Sequence, residues 1–179
     1  MSSPKKHIGI GIALFGLGVG LSAILGRSAT QSSLREWYPK LKKPSYQPPE
    51  IAFPIAWSIL YPAIAVAGAR IWAFPDSPQR SQALVAWNAQ LVFNAAWSEL
   101  FFRHRRPDWA LVDQALLIGS ILWFIKDARR LDRPAALLFV PYLTWVGFAA
   151  LLNEEILRLN PPLSQWDRLT EKALAARAA

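Results

Sequence analysis

In this 179-residue chain, the side chains most suited to binding a ligand are tryptophans and amides placed at helical spacing. It contains nine Trp but no Cys, and its only His residues are His7 and His104. The lack of Cys excludes thiol nucleophiles, disulfides and Cys-based metal sites, and two His cannot build a His-rich metal centre. An indole ring offers a flat apolar face and one N–H donor, which suits stacking against a planar ligand. The composition therefore favours ligand binding over conventional metal or nucleophilic catalysis.

Polar and aromatic residues recur at alternating steps of three and four positions inside two long apolar stretches. The two stripes are Trp87, Gln90, Asn94, Trp97 and Phe101, and Trp109, Asp113, Leu116, Ser120 and Trp123. Residues at these steps share one face of a helix. Because an amide or a carboxylate is costly to bury in hydrocarbon, both faces are expected to point inward, at other helices or at a ligand.

Two interpretations of these side chains remain open. Amides that bond across helices, and Trp rings at the membrane interface, would explain Trp72, Trp87 and Trp123 as packing residues. Trp57 and Trp145 lie deeper within their stretches than an interfacial belt requires, so we expect them to face a ligand. A cavity walled by such rings, with few polar groups, would suit a large, planar and mostly apolar molecule.

The apolar stretches that carry these residues are long enough to cross a membrane. The first has no charged residue and spans roughly 28 Å as a helix, close to the ~30 Å hydrocarbon core of a bilayer. The five predicted spans cover residues 8–26, 51–74, 83–102, 109–125 and 134–157. A water-soluble bundle is disfavoured because solvent-facing polar stripes are missing. We predict an all-α integral membrane protein, a five-transmembrane-helix bundle in one domain (1–162) with a C-terminal tail (163–179).

The first predicted span is rich in glycine. Gly16 and Gly20 have the GxxxG spacing that lets two helix backbones approach closely in lipid. A dinucleotide-binding loop is excluded because no G-x-G-x-x-G pattern is completed. We retain the segment as a membrane helix because its apolar stretch exceeds the ~7–15 residues of a signal peptide.

The distribution of charge bears on orientation and on partners. The formal net charge is +8, and the cations cluster at the ends of the predicted spans. This clustering favours contact with anionic lipid headgroups over nucleic-acid binding. Of the 20 Lys and Arg, twelve lie on the side of the first connection and the C-terminus, and eight lie on the other side. The positive-inside rule then places the first connection and the C-terminus in the cytoplasm.

The first predicted connection, residues 27–50, is the longest and the least regular. Its second half, from Trp37 to Pro49, contains four Pro, three Lys and three aromatic residues. The prolines disfavour an ordinary helix, and the aromatic rings argue against a free linker. We expect a semi-rigid flap over the cytoplasmic end of the bundle.

Five motifs in this order resemble a known family. They are W-Y-x-x-L-x-K-P-x-x-x-P-P (37–49), F-P-x-x-W-x-x-L-Y (53–61), Q-L-x-x-N-x-x-W (90–97), W-A-L-V-D (109–113) and P-Y-L-x-W-x-x-F-A-x-x-L-N (141–153). Each motif alone is weak, but the combination is similar to the TspO/MBR family of tryptophan-rich sensory and translocator proteins, also called peripheral-type benzodiazepine receptors. The resemblance extends over roughly residues 8–160.

The resemblance implies a five-helix membrane bundle, often a homodimer, with a pocket closed by the first connection. The ligands of the family are porphyrins such as protoporphyrin IX and haem, cholesterol in animal members, and benzodiazepine- or isoquinoline-type drugs. No metal or further cofactor is implied. Carried over by position, the pocket would contain Trp37, Trp57, Asn94, Trp109 and Trp145, with Tyr61, Trp97 and Ala149 nearby.

Several functions are compatible with this resemblance. Tetrapyrrole binding for transport, sensing or regulation is the first expectation. Light-dependent porphyrin degradation, with Trp57 and Trp145 participating, is the second. Sterol recognition is disfavoured because Glu154 stands where the animal motif has Tyr. A proton-coupled transporter ranks last because its candidate proton carriers are too few for a relay: Asp113 lies one turn inside its span, and Glu99, Glu154 and Glu155 lie near span ends.

Overall fold

A computed structural model of the chain describes residues 4–160 and 175–176, and this part is helical throughout, without a strand. The helices are α1 (Pro4–Glu36), α2 (Ala52–Trp72), α3 (Pro78–Ser98), α4 (Pro107–Leu131), α5 (Arg133–Leu138) and α6 (Val140–Leu159). A 3₁₀ turn, Tyr38–Lys40, follows α1, and a π-helical turn, Glu99–Arg103, follows α3. Most of the tail predicted at 163–179 lies outside the described residues.

Three helical segments are long and apolar enough to cross a membrane. They are Ala52–Trp72, Pro107–Leu131 and Arg133–Leu159, the last comprising α5 and α6 together. The apolar part of α1, Gly9–Ile24, is shorter. The all-helical class is thus confirmed, and the three helical segments coincide with the second, fourth and fifth predicted spans, while a bundle of five spans stays a prediction.

The first helix continues ten residues past its predicted end at residue 26. Polar residues extend it: the Thr30 hydroxyl donates to the carbonyl of Gly26 at 2.6 Å, and the Ser33 hydroxyl donates to the carbonyl of Phe102. The polar composition that suggested a loop is equally compatible with a helix that leaves the hydrocarbon and packs against a neighbour. The flap therefore comprises residues 37–51.

The fifth predicted span is interrupted at Phe139, where α5 ends and α6 begins. Pro141 lies in the first turn of α6, where a backbone N–H has no intrahelical partner. Helix α6 then resumes with the amide of Leu143 donating to the carbonyl of Phe139 at 2.9 Å. The proline thus marks a break between two helices instead of lying in the interior of one.

The helices form a ring in the order α2, α1, α3, α4, α6. Helix α3 runs along α4, α1 packs against α2 and α3, and α4 packs against α6. The ring closes through α5, which packs against α2, whereas closure by α6 is weak because α2 and α6 approach each other at few positions. This weak closure leaves a seam between α2 and α6.

The seam is tight at one end and loose at the other because α2 is packed unevenly. Its buried residues all lie between Leu60 and Ile71. A Cβ at Gly68 would overlap the ring of Phe15 and lie 2.7 Å from Nε1 of Trp87, so only glycine fits that position. The same Trp87 Nε1 donates to the carbonyl of Ile64 at 2.8 Å. The C-terminal half of α2 is therefore fixed, whereas its first eight residues next to the flap are not buried.

Gly16 and Gly20 do not mediate the close approach that their spacing suggested within this chain. Among the residues that the structure describes, nothing lies within 4 Å of a Cβ built at either position. Helix α1 instead packs through Gly11 against Ala69 and through Ser22, whose hydroxyl donates to Leu91 at 3.3 Å. The paired glycines lie on the face of α1 that points away from the bundle.

Candidate ligand-binding cleft

Aromatic rings from α2 and α6 meet across the loose half of the seam. Trp57 stacks on Tyr61, with ring centroids 4.7 Å apart and planes 27° apart. Phe53 meets Trp145 edge to face at 5.6 Å, and Trp145 lies 6.0 Å from Phe148. All of these rings are partly exposed. We call this region of the seam, at the flap end of α2 and α6, the cleft.

Three residues of the predicted pocket therefore come together. Trp57 and Tyr61 lie one turn apart on α2, and Trp145 approaches from α6. Ala149 follows Trp145 by one turn and is half-buried on the same helix.

The floor of the cleft is a buried chain of hydrogen bonds. Gln90 Nε2 donates to the carbonyl of Trp87 at 2.9 Å, so its Oε1 faces the hydroxyl of Tyr142. Tyr142 donates its single proton to Gln90 Oε1 at 3.0 Å and must therefore accept from Asn94 Nδ2, which lies 3.1 Å away. All three side chains are buried, and the ring of Tyr142 lies 6.1 Å from Trp57.

This chain of hydrogen bonds fixes Asn94, one of the predicted pocket residues, and links it to Gln90 and Tyr142. Gln90 belongs to the same helical stripe, four positions earlier, and was expected to point inward. Tyr142 was missed, although it stands three positions before Trp145 and shares its helix face. Because the Tyr142 hydroxyl is hydrogen-bonded to an amide on each side, the three side chains hold one another in place.

Two other predicted pocket residues, Trp37 and Trp97, belong to a second group of rings. Trp97 stacks on Phe101 at 5.1 Å, and Trp37 meets Phe101 edge to face at 5.7 Å. The group also contains Tyr38 and Phe102. It lies at the base of the flap, between the end of α1 and the π-helical turn, and forms an apolar cluster separate from the one that contains Trp57. We call it the flap-base cluster.

The helix-four residues differ in exposure. Trp109 is 46% exposed in the first turn of α4 and joins neither aromatic group. Asp113, one turn further, is 7% exposed, and its Oδ2 is buried without a hydrogen-bond partner in the described part of the chain. Asp113 lies within electrostatic range of Tyr142. The stripe therefore turns its carboxylate, and not its first indole, toward the bundle.

The flap covers the α6 side of the cleft. The Tyr46 ring lies 6.5 Å from Phe148, and its hydroxyl donates to the carbonyl of Leu151 at 3.3 Å. At its base, the Lys43 ammonium lies 4.4 Å from the ring centroid of Tyr38. Burial raises the pKa of Tyr38 above its ordinary value, so this phenol stays neutral at physiological pH.

An open apolar groove of about 550 Å³ runs along the outer side of α6. Its lining residues are Val140, Pro141, Thr144, Trp145 and Phe148. Trp145 thus borders both the groove and the cleft, which brings its indole to the boundary between the bundle interior and the surrounding lipid.

Comparison with known proteins agrees with this architecture. The family model for the TspO/MBR family matches residues 12–159. The chain belongs to the TspO/MBR family. The resemblance inferred from the five motifs is confirmed, and membership together with the membrane-length helices makes the chain a multi-pass membrane protein.

Bacterial and animal members of the TspO/MBR family are similar to this one over most of its length. The tryptophan-rich sensory protein of Cereibacter sphaeroides is 36% identical over 84% of this chain and 92% of its own. Protein CrtK of Rhodobacter capsulatus is 32% identical over 84% and 94%. The translocator protein of Bos taurus is 33% identical over 84% and 90%.

Proposed function

We propose that this TspO/MBR protein binds tetrapyrroles, such as protoporphyrin IX or haem, in the cleft for their transport, sensing or regulation. The observation that carries the proposal is the weakly closed seam between α2 and α6, bordered by Phe53, Trp57, Tyr61 and Trp145. Flat rings that come from both sides of a loosely packed seam favour a flat ligand.

The polar groups would orient such a ligand. Asn94, held by Tyr142, offers one fixed amide at the floor of an otherwise apolar space. Arg35, Lys40 and Lys42 are exposed at the flap end, where they could pair with the carboxylates of a porphyrin. An apolar body would thus lie between rings while its acidic edge faces the basic flap. Sterols and benzodiazepine-type drugs are further candidate occupants.

The topology in the membrane is part of the proposal. Helices α1 and α3 would complete five spans, since 21 residues of α3 extend roughly 31 Å. The flap and the C-terminus would face the cytoplasm. The unpacked face of α1 at Gly16 and Gly20 supports association of two copies as a homodimer.

Light-dependent porphyrin degradation is a second candidate, favoured by one observation. The stacked pair of Trp57 and Tyr61 borders the cleft, and Tyr142 lies edge-on to Trp57. Three oxidisable rings in contact would be placed beside an excited porphyrin. If the complex is illuminated, porphyrin absorbance should then decay faster than that of free porphyrin in the same detergent, and an equal rate would reject this function.

Binding is tested by titrating the purified protein with protoporphyrin IX and following the quenching of Trp emission. Trp57→Phe and Trp145→Phe should each weaken affinity about twofold to tenfold, as expected for losing most of a stacking contact of about 0.5–1.5 kcal/mol. Trp123→Phe is the matched control, because Trp123 is outside the cleft and donates to Asp127 near the C-terminal end of α4. Unchanged affinity in both cleft variants would remove the cleft as the site.

A further inference from the structure

The residue that directly follows α6, Asn160, bonds the backbone of the flap. Asn160 Oδ1 accepts from the amide of Lys42 at 2.8 Å, and Asn160 Nδ2 donates to the carbonyl of Lys42, also at 2.8 Å. The same Nδ2 donates to the carbonyl of Ile156 at 2.8 Å. One side chain thus pairs both main-chain polar groups of a flap residue and caps its own helix. Only an amide offers a donor and an acceptor side by side in this way.

This contact holds the middle of the flap, which covers one side of the cleft. Lys42 lies between two other attachment points of the flap: Tyr38 in the flap-base cluster and Tyr46 against α6. The Tyr46 hydroxyl makes a single, longer bond of 3.3 Å, whereas Asn160 makes two short ones to one residue. Asn160 is therefore the strongest hydrogen-bonded link between the middle of the flap and the bundle in the described part of the chain.

We infer that Asn160 is a positioning residue that latches the flap over the cleft and thereby sets the rate at which ligand enters and leaves. This inference rests on the proposed function, since it assigns the access route to the same cleft. With the flap latched, ligand exchanges only from the minor fraction of molecules in which the flap is open. Observed association and dissociation rates both scale with that fraction, so a weaker latch speeds both and changes affinity little.

The size of the effect follows from the bonds that are lost. Asn160→Ala removes both links to Lys42, and water replaces them in part at this exposed site. Losing two hydrogen bonds of ordinary net strength corresponds to about a tenfold larger open fraction. Asn160→Asp keeps the acceptor for the Lys42 amide but removes both N–H donors, so its effect should be similar in direction.

The test combines a ligand-free and a ligand-dependent measurement on the full chain in detergent. Because the native chain has no Cys, Ser45→Cys provides a single attachment site for a nitroxide on the exposed turn of the flap. In the Asn160→Ala background the nitroxide spectrum should show faster motion. Stopped-flow quenching with protoporphyrin IX should show both rates increased about tenfold, with the equilibrium affinity changed less than threefold.

A matched control and the contrary outcomes keep the two proposals apart. Asp76→Ala breaks an exposed ion pair with Arg80 that lies after the end of α2 opposite the flap, and should change neither readout. Unchanged nitroxide motion in both Asn160 variants would overturn the latch, as would faster motion with unchanged exchange rates. If wild-type protein fails to bind protoporphyrin IX, the proposed function fails, while the nitroxide spectra still decide whether Asn160 holds the flap.

Discussion

Replacing Tyr142 by Phe removes one oxygen atom from the floor of the cleft and breaks two hydrogen bonds at once. The ring is retained, so its contacts with Trp57 and Phe139 remain. Asn94 Nδ2 and Gln90 Oε1 lose the partner that lies 3.1 and 3.0 Å away, respectively. Because both groups are buried, water cannot readily replace the hydroxyl.

The expected cost lies between two benchmarks. A buried polar group left unpaired costs about 1–3 kcal/mol in water-soluble proteins, whereas interhelical hydrogen bonds in membrane proteins average about 0.6 kcal/mol each. For two bonds we expect Tyr142→Phe to lower the free energy of unfolding by about 1–3 kcal/mol. The loss should weaken the attachment of α3 to α6, since the two hydrogen bonds link Gln90 and Asn94 on α3 to Tyr142 on α6.

The assay is reversible unfolding in mixed micelles with increasing SDS, followed by Trp fluorescence. Tyr46→Phe is the control, because its hydroxyl makes one longer bond at an exposed site and should cost less than about 0.5 kcal/mol. A double-mutant cycle with Asn94→Leu should give a coupling energy of about 0.5–1.5 kcal/mol. A loss below about 0.5 kcal/mol for Tyr142→Phe, with no coupling to Asn94, would refute the assigned hydrogen-bond chain.

Two further predictions concern packing and pH. Gly68→Ala should destabilise the bundle by about 1–3 kcal/mol in the same assay, because the new Cβ overlaps Phe15 and approaches Trp87. Gly119→Ala is the control and should be neutral or stabilising, because no described residue lies within 4 Å of its new Cβ. Equal changes in stability for the two variants would contradict the packing at Gly68. Burial raises the pKa of Tyr38, so the folded state holds this proton more tightly than the unfolded chain, and stability should fall as pH rises past about 10. Tyr38→Phe should flatten this dependence in unfolding measured from pH 8 to 11, and an unaltered slope would exclude Tyr38 as its source.

Local properties of the chain could be predicted from the sequence. Long apolar stretches predicted the helices of membrane-crossing length at α2, α4 and the α5–α6 segment, because hydrocarbon tolerates few charges over the length of a helix. The three- and four-residue steps of Gln90 and Asn94 predicted an inward polar face, because a buried amide needs a partner. The family was likewise evident from motif order, which is a property of the sequence alone.

The division of the tryptophans between two sites could not be predicted in this way. Helical spacing shows which residues share a face, but not which neighbour that face meets. The π-helical turn after α3 carries Phe101 toward Trp37 and Trp97, and so gathers these rings at the base of the flap. Trp57 and Trp145 meet elsewhere, across the seam between α2 and α6.

Helix ends and loop contacts also depended on tertiary structure. The polar segment after residue 26 stays helical because the end of α1 packs against the turn that follows α3, through Ser33 and Phe102. Asn160 bonds Lys42 across 118 positions of sequence, a contact that no local pattern encodes. Residue type determines what a side chain must avoid or satisfy, whereas the partner that satisfies it is decided by how the helices are rotated and packed against one another.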